Sequence, residues 1–248
     1  MLRRNHFLAS LTPADFALIE PDLEVLQLRR DQVIAEAGRP VSAAYMPLDC
    51  ILSVITIMAQ GAQIESRTIG RESGHGLLHA LGSPHSTERM LCQVAGSAVR
   101  IRLDVLSAAA AARPSLAGAI ARHAQVGLVQ SIQGVACNAL HSALPRMARW
   151  LLMTQDRLGS DRLPLTQEHL AIMVGVQRTT VTAVAKELQA RGVIATGRGR
   201  ITVVDRQGLR RLSCECYDAI EEAVAVILDD ASRDAGAERR GPPRPTAA

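Results

Sequence analysis

Between Leu163 and Asp205 the apolar positions of this chain change period, and the change marks out a small module. Leu170, Met173 and Val174 fall at helical spacing behind Thr166, a capping residue with His169 three positions on. Gly175 ends that helix, because glycine accepts the left-handed backbone of a tight turn, and Val176 can plug the gap to a second helix starting near Gln177. Along the second helix Val181, Val184, Ala185 and Leu188 recur at three- and four-residue steps. The positions left over, Gln177, Arg178, Thr179, Thr180, Thr182, Ala183 and Lys186, are short, polar and mildly basic. After Gly192 the period becomes two. Residues 193–195 and 201–204 read as strands flanking a glycine turn, 196–200, that carries Arg198 and Arg200.

Helix, turn, helix and hairpin in that order predict a winged helix-turn-helix, with the second helix in the major groove of duplex DNA and the wing along the phosphates. Arginine reaches guanine edges, and threonine donates to phosphate or touches a thymine methyl. The residues expected at DNA are Thr166, Gln167, Gln177, Arg178, Thr179, Thr180, Thr182, Lys186, Arg198 and Arg200.

Upstream, the pattern is of short strands. A first helix is expected behind Thr12, with Pro13 at its first position and Phe16 and Ile19 on its apolar face. Runs at 25–28, 33–34, 43–46, 51–58, 64–69, 90–94 and 98–103, separated by glycine, proline or charged turns, predict a small antiparallel β-barrel or jelly roll. From Asp104 to Asn138 the pattern turns helical. Pro114 suits the first turn of a long helix along which Leu116, Ile120, Ala124, Leu128, Ile132 and Val135 step mostly by four. Contact with a second copy across a two-fold axis would bury this stripe, and packing on the chain's own barrel would satisfy it equally well. The dimer is favoured because helix-turn-helix proteins commonly read paired half-sites. A helix over 141–156 and a last one over 218–230 complete the pattern. The fold expected is α+β, with a barrel (5–106), a dimerisation helix (107–138), a winged module (139–212), a C-terminal helix (213–231) and a disordered tail (232–248) rich in Arg, Pro, Gly and Ala.

Composition sharpens this picture at three points. Aromatic residues make up 2% of the chain against 48% hydrophobic in total, so the cores must be built from aliphatic side chains and no stacking platform for single-stranded nucleic acid is expected. From Asp161 to Leu212 nine basic residues face four acidic ones, an excess larger than the net +4 of the whole chain. Basic charge concentrated in one module is what phosphate binding through counterion release requires. No apolar run follows Met1–His6 and none approaches the length of about 18 needed to cross a membrane, so a cytoplasmic protein without membrane contact is expected.

The order barrel, long helix, winged module resembles the Crp/Fnr superfamily of bacterial transcription regulators. The resemblance is most specific at Leu165–Ala171, Gly175, Arg178–Val181, Leu188, Gly192–Ile194 and Arg198–Val203. It implies DNA-dependent transcription control by a homodimer rather than catalysis, with RNA polymerase and an unknown small-molecule effector as further partners. In the recognition helix Arg178 and Thr180 match the family, whereas Thr179 and Ala183 stand where Glu and Arg are usual. Members that bind cyclic AMP carry a Gly-Glu-Leu cassette with a following Arg-Ser or Arg-Thr. Here the matching stretch is Gly74-His75-Gly76-Leu77-Leu78-His79, with no Glu after Gly76 and with Met90 after Arg89. The effector pocket is assigned to Glu72, Gly76, Leu77, Arg89 and Met90, with Glu72 and Arg89 as a rearranged ribose and phosphate pair, and ordinary cyclic-AMP binding is not expected.

Other chemistry finds little support in the sequence. His75, His79 and His85 read as a solvent-facing loop, since no Cys or carboxylate completes a ligand spacing nearby. Cys50, Cys92 and Cys137 read as small core residues, and Cys214-Glu215-Cys216 is a Cys-x-Cys pair short of two ligands. No metal, cofactor or catalytic residue is assigned. A second reading stays open, a cyclic-nucleotide-fold scaffold whose winged domain binds protein, and loss of duplex affinity with rising salt separates the two.

Overall fold

The computed structural model describes the backbone of residues 1–238 and the side chains of residues 1–229. The chain opens with α1 (His6–Ser10), at five residues too short for the apolar pattern to reveal; Asn5 caps it, its Oδ1 accepting from the backbone N–H groups of Phe7 and Leu8. Helix α2 (Pro13–Ile19) follows, capped by Thr12 as its sequence requires.

Seven strands then form two facing antiparallel sheets. One has the order β1 (Glu24–Leu28), β7 (Gly96–Arg102), β3 (Ala43–Pro47); the other runs β2 (Val33–Ala35), β6 (Arg89–Val94), β4 (Ile51–Ile57), β5 (Gln63–Ile69). All seven lie where the short apolar runs placed them. Leu28, Leu52, Val54, Met90 and Cys92 fill the space between the sheets. Phe7, Ile19, Met46, Val99 and Ile101 form a second cluster beneath the helices.

Two helices lead out of the sandwich, α3 (Leu103–Ala112) and α4 (Pro114–Leu140). The α4 stripe divides at mid-length. Leu116 and Ile120 are 0% exposed and belong to that second cluster beneath the helices, which corrects their assignment to an intersubunit seam. Ala124 is half-buried, whereas Leu128, Ile132 and Val135 are 59%, 60% and 73% exposed.

The winged module has its own core of Trp150, Leu151, Leu170, Met173, Val181, Leu188 and Ile201. It comprises α5 (Ala143–Leu158), β8 (Arg162–Leu163), α6 (Gln167–Val174), α7 (Arg178–Ala190), β9 (Ile194–Gly197), β10 (Arg200–Val203) and α8 (Arg206–Leu212). Gly159 and Gly175 both end helices in the left-handed region, at φ 62° and 66°. The two-residue β8 pairs with β10 and extends the wing to three strands. Strand β8 and helix α8 are too short for periodicity to announce. Helix α9 (Cys216–Glu238) then packs back along α4. It carries the first part of the expected tail in helical form, and the remainder of that tail, 239–248, lies outside the described residues.

The module is docked on the sandwich through α5 and α6. Arg157 on α5 pairs with Glu72 at 2.9 Å, and Arg71 donates to the carbonyl of Asp156 at 2.8 Å. Gly175 approaches Ile64 on β5 so closely that an added Cβ would lie 3.1 Å from its Cδ1. His169 Nε2 lies 3.1 Å from Asp31.

Candidate nucleic-acid interface and effector cavity

Helix α7 presents its N-terminal half to solvent. Gln177, Arg178, Thr179 and Lys186 are exposed, while Thr180 and Thr182 are half-buried and Val181, Ala185 and Leu188 face the core. Thr166 accepts from His169 N as the cap of α6, and Gln167 at the first position of α6 lies 3.3 Å from the Thr182 hydroxyl, tying the two helices together. Gln177 makes no side-chain capping bond, so the first-turn N–H groups of α7 remain available at the positive end of the helix. Arg198 and Arg200 sit on the exposed β9–β10 turn, where Gly199 takes φ 67°.

The ion pairs of the module sort its basic residues into two sets. Arg191 pairs with Glu187, Arg206 with Asp156, Arg210 with Asp218 and Arg211 with Asp205. Among the described residues Arg178, Lys186, Arg198 and Arg200 pair with no carboxylate. Arg146, Arg149 and Arg162 also pair with no carboxylate among the described residues, but of these only Arg162 on β8 is exposed, so the exposed uncompensated charge lies on the recognition helix and the three-stranded wing.

The cavity of the sandwich differs from the sequence assignment. A cavity of about 370 Å³ is lined by Arg67, His75, Gly76, Leu77, His79, Glu88 and His123 among others. Gly76, at φ 85°, is required there because a Cβ would come within 2.8 Å of Ala44 Cα. Gly76 and Leu77 are therefore lining residues as expected, but Glu72, Arg89 and Met90 are not. Glu72 is taken by Arg157 and by the backbone N–H of Gly70 at 3.0 Å. Arg89 forms a two-point ion pair with Glu36, both contacts at 2.9 Å, and Met90 is 1% exposed between the sheets. A strand alternates its side chains between faces, so Arg89 and Met90 cannot both face the cavity.

Arg67 supplies the cavity's cation. Burial lowers its pKa, and it lies against Gly127 of α4, where an added Cβ would fall 2.8 Å from Nη1. The histidines are not a solvent-facing loop. His75 is 3% exposed, its Nε2 has no hydrogen-bond partner, and burial followed by the charges of His79 and Arg67 pushes its pKa down to about 3. His79 is half-buried with its ring centroid 5.6 Å from that of His75, and His85 alone is exposed. His123 Nδ1 donates to the Glu72 carbonyl at 3.0 Å, and burial holds the ring neutral, with a pKa pushed down to about 4.

The cysteines also depart from expectation. Cys50 and Cys92 lie in the sandwich core, but Cys137 does not stand alone: with His141 it meets Cys214 and Cys216, supplying the two groups the Cys-x-Cys pair lacked. Sequence spacing could not reveal this, because the two halves flank the entire winged module.

Residues 145–212 match the Crp-like helix-turn-helix domain. The transcriptional regulator SdrP of Thermus thermophilus is 33% identical over 106 residues, which cover 40% of this chain and 52% of that protein, so the chain spans about half the length of this curated relative. Among solved structures, FixK2 from Bradyrhizobium japonicum superposes with a TM-score of 0.67 at 18% identity, covering 77% of this chain and 98% of FixK2. A CRP/FNR-family transcriptional regulator from Thermus thermophilus gives 0.63 at 24% identity over 77% of this chain and 98% of its own. The module is therefore a winged helix-turn-helix of the Crp type. Over the 77% of the chain that superposes, the module is carried on the fold of those regulators. Among the described residues no helix is long and apolar enough to cross a membrane.

Proposed function

We propose that the protein is a sequence-specific, duplex-DNA-binding transcription regulator that acts as a homodimer and does not answer to ordinary cyclic AMP. The observation that carries the first part is the segregation of charge: Arg178, Lys186, Arg198 and Arg200 on the recognition helix and wing pair with no carboxylate among the described residues, while Arg191, Arg206, Arg210 and Arg211 are tied to carboxylates. Counterion release rewards cations that are free to meet phosphate. The exposed Leu128, Ile132 and Val135 support a seam between two copies along the second half of α4, since apolar side chains this exposed on one helix face gain by mutual burial. The cavity supports the third part. Its lining offers Arg67 to an anion, but the carboxylate nearest the cassette, Glu72, is committed to Arg157. A ribose hydroxyl pair would lose the partner that the cassette supplies, and the carboxylate left in the lining is Glu88, on a separate segment.

Fluorescence anisotropy with duplexes selected from a random pool tests this reading. Binding should fall steeply as salt rises and should discriminate selected from unselected duplexes by a factor of about 10³ or more. A protein that binds no duplex at any salt concentration lacks the proposed function.

A further inference from the structure

We propose that Cys137, His141, Cys214 and Cys216 form a tetrahedral Zn²⁺ site that closes the winged module onto the end of the long helix. The Sγ atoms of the three cysteines and a ring nitrogen of His141 all lie within 4.8 Å of one another. Cys137 and Cys214 Sγ are 3.5 Å apart, and Cys216 Sγ is 3.5 Å from His141 Nδ1. Zinc bonds of about 2.3 Å to sulfur and about 2.0 Å to nitrogen in a tetrahedron separate the ligand atoms by roughly 3.5 to 3.8 Å. The cluster thus stands close to the geometry a metal would impose.

Backbone placement explains how the four meet. Cys137 lies in the last turn of α4, and His141, four residues on, is the residue that caps it, its backbone N–H donating to the Cys137 carbonyl. Cys214 and Cys216 lie where the chain leaves α8 and begins α9, with one residue between them. All three cysteines are buried, at 0%, 6% and 1% exposure. Three thiols and an imidazole from two distant segments form the donor set of a closed structural zinc centre, with no position left for water.

The surroundings match a bound metal as well as the donors do. His141 turns Nε2 toward Glu215 Oε1 at 3.2 Å, which leaves Nδ1 as the ligating nitrogen and makes the carboxylate its hydrogen-bond acceptor. Gln133 Nε2 donates to Cys216 Sγ at 3.1 Å, a bond that favours thiolate over thiol. On binding, the three thiols release three protons to solvent, and Zn²⁺ with three thiolates and a neutral imidazole carries one net negative charge. Arg149 supplies the countercharge. The residue is 2% exposed, its Nε has no hydrogen-bond partner, its Nη1 rests on Met153 Sδ at 3.3 Å, and its charge acts on Cys137 and Cys214. A buried arginine so placed is accounted for by an anionic metal centre.

The ligands bracket the winged module, from the end of α4 to the start of α9. Metal binding therefore fixes where the module sits relative to α4 and holds α9 along it. The site is independent of the DNA-binding reading and can be tested without it.

The test is metal content of the full chain, expressed without a histidine tag in zinc-supplemented medium and purified under reducing conditions. Plasma mass spectrometry should find one zinc per chain, and X-ray absorption at the zinc edge should fit three sulfurs and one nitrogen. Titration of the chelator-stripped protein with Co²⁺ should give thiolate-to-cobalt charge-transfer absorption in the near ultraviolet, lost in C137S and C214S and kept in C50A. Stripping the wild type and restoring zinc gives the same readout should those variants fail to fold. Substoichiometric zinc with no cobalt spectrum, zinc retained in both C137S and C214S, an iron–sulfur absorption spectrum, or a Cys137–Cys214 disulfide in the freshly isolated chain would each overturn the proposal.

Discussion

Arg157 Nε lies 2.9 Å from Glu72 Oε1, and the two side chains are only 7% and 15% exposed. This pair joins the sandwich to the first helix of the winged module. Burial opposes ionisation of Glu72, yet the Arg157 charge and the Gly70 N–H outweigh it and hold the carboxyl below its usual range. Removing one member leaves the other charge buried without a partner, so Glu72→Gln should destabilise the protein by about 3 to 5 kcal/mol, and Glu72→Gln with Arg157→Met should recover part of that loss. Because the folded pKa is depressed, this stabilisation is present above the unfolded value and fades as pH falls through the folded one. Urea unfolding of the four members of the cycle measures it. Additive effects would mean that the two groups act separately.

Base readout and backbone attraction separate in the exposed cations. Arg178 stands at the first position of α7, so Arg178→Ala should weaken binding to the selected duplex by about 1 to 3 kcal/mol and barely change binding to unselected DNA. Arg198→Ala or Arg200→Ala in the wing should weaken both alike and flatten the salt slope by about one each. Full discrimination retained by the Arg178 variant would remove α7 from the groove.

Of these two cases the second was legible in the sequence and the first was not. Seven strands, the Thr12 and Thr166 caps, the Gly175 turn and the wing follow from periodicity and local chemistry, which act over a few residues. The exposed face of α7 follows from the same helical spacing. The lining of the cavity does not, because its membership depends on which face of β6 meets the cavity and on partners far along the chain. Arg89 is claimed by Glu36 and Glu72 by Arg157, and neither partner could be read from the cassette. Arg67 was missed because nothing near it in sequence marks it, and only the close approach of Gly127 reveals its place. The α4 stripe is instructive in another way. Its spacing is uniform, but what covers it changes at mid-length, so Leu116 and Ile120 serve the chain's own core while Leu128, Ile132 and Val135 stay open.

That open half makes assembly testable. Leu128 is 59% exposed in the single chain, so Leu128→Glu should leave the fold intact. In a dimer it would bring unpaired carboxylates into an apolar seam and should shift the protein to monomers with weaker operator binding. Sedimentation velocity reads the outcome, and a folded variant that stays dimeric rules out this face.

Cyclic nucleotides should find the cavity poorly equipped. Arg67 can meet a phosphate, but no carboxylate follows Gly76, and the carboxylate in the lining, Glu88, comes from a different segment, so ribose hydroxyls desolvated without well-placed partners cost affinity. Calorimetric titration with cyclic AMP and with cyclic GMP should show no saturable heat up to about 1 mM, a limit near −4.1 kcal/mol. Micromolar binding coupled to a change in duplex affinity would contradict this and would point to Arg67 as the phosphate ligand.

Glu65 sets a pH dependence of its own. Its carboxyl is 1% exposed between β5 and its neighbours, where Ser53 and Gln93 both donate to Oε2, Gln93 at 2.7 Å, while Oε1 has no partner. Burial pushes the pKa up to about 8, against the hydrogen bonds and the charges of Arg157 and Arg149. The folded protein then keeps a proton on Glu65 at pH values where the unfolded chain has lost it. Unfolding releases that proton, so the contribution of Glu65 to stability is full below the unfolded carboxylate pKa and declines as pH rises, at about 1.4 kcal/mol per unit, until it levels off near pH 8. His75 and His123, both held neutral by burial, act in the opposite sense and cost stability as pH falls below their unfolded value. The difference between wild type and Glu65→Gln isolates the carboxyl, because the histidines are common to both. Thermal melts from pH 5 to 8 should show the wild type losing ground to the variant at each step. Parallel curves across that range would place Glu65 in its ionised form in the folded protein.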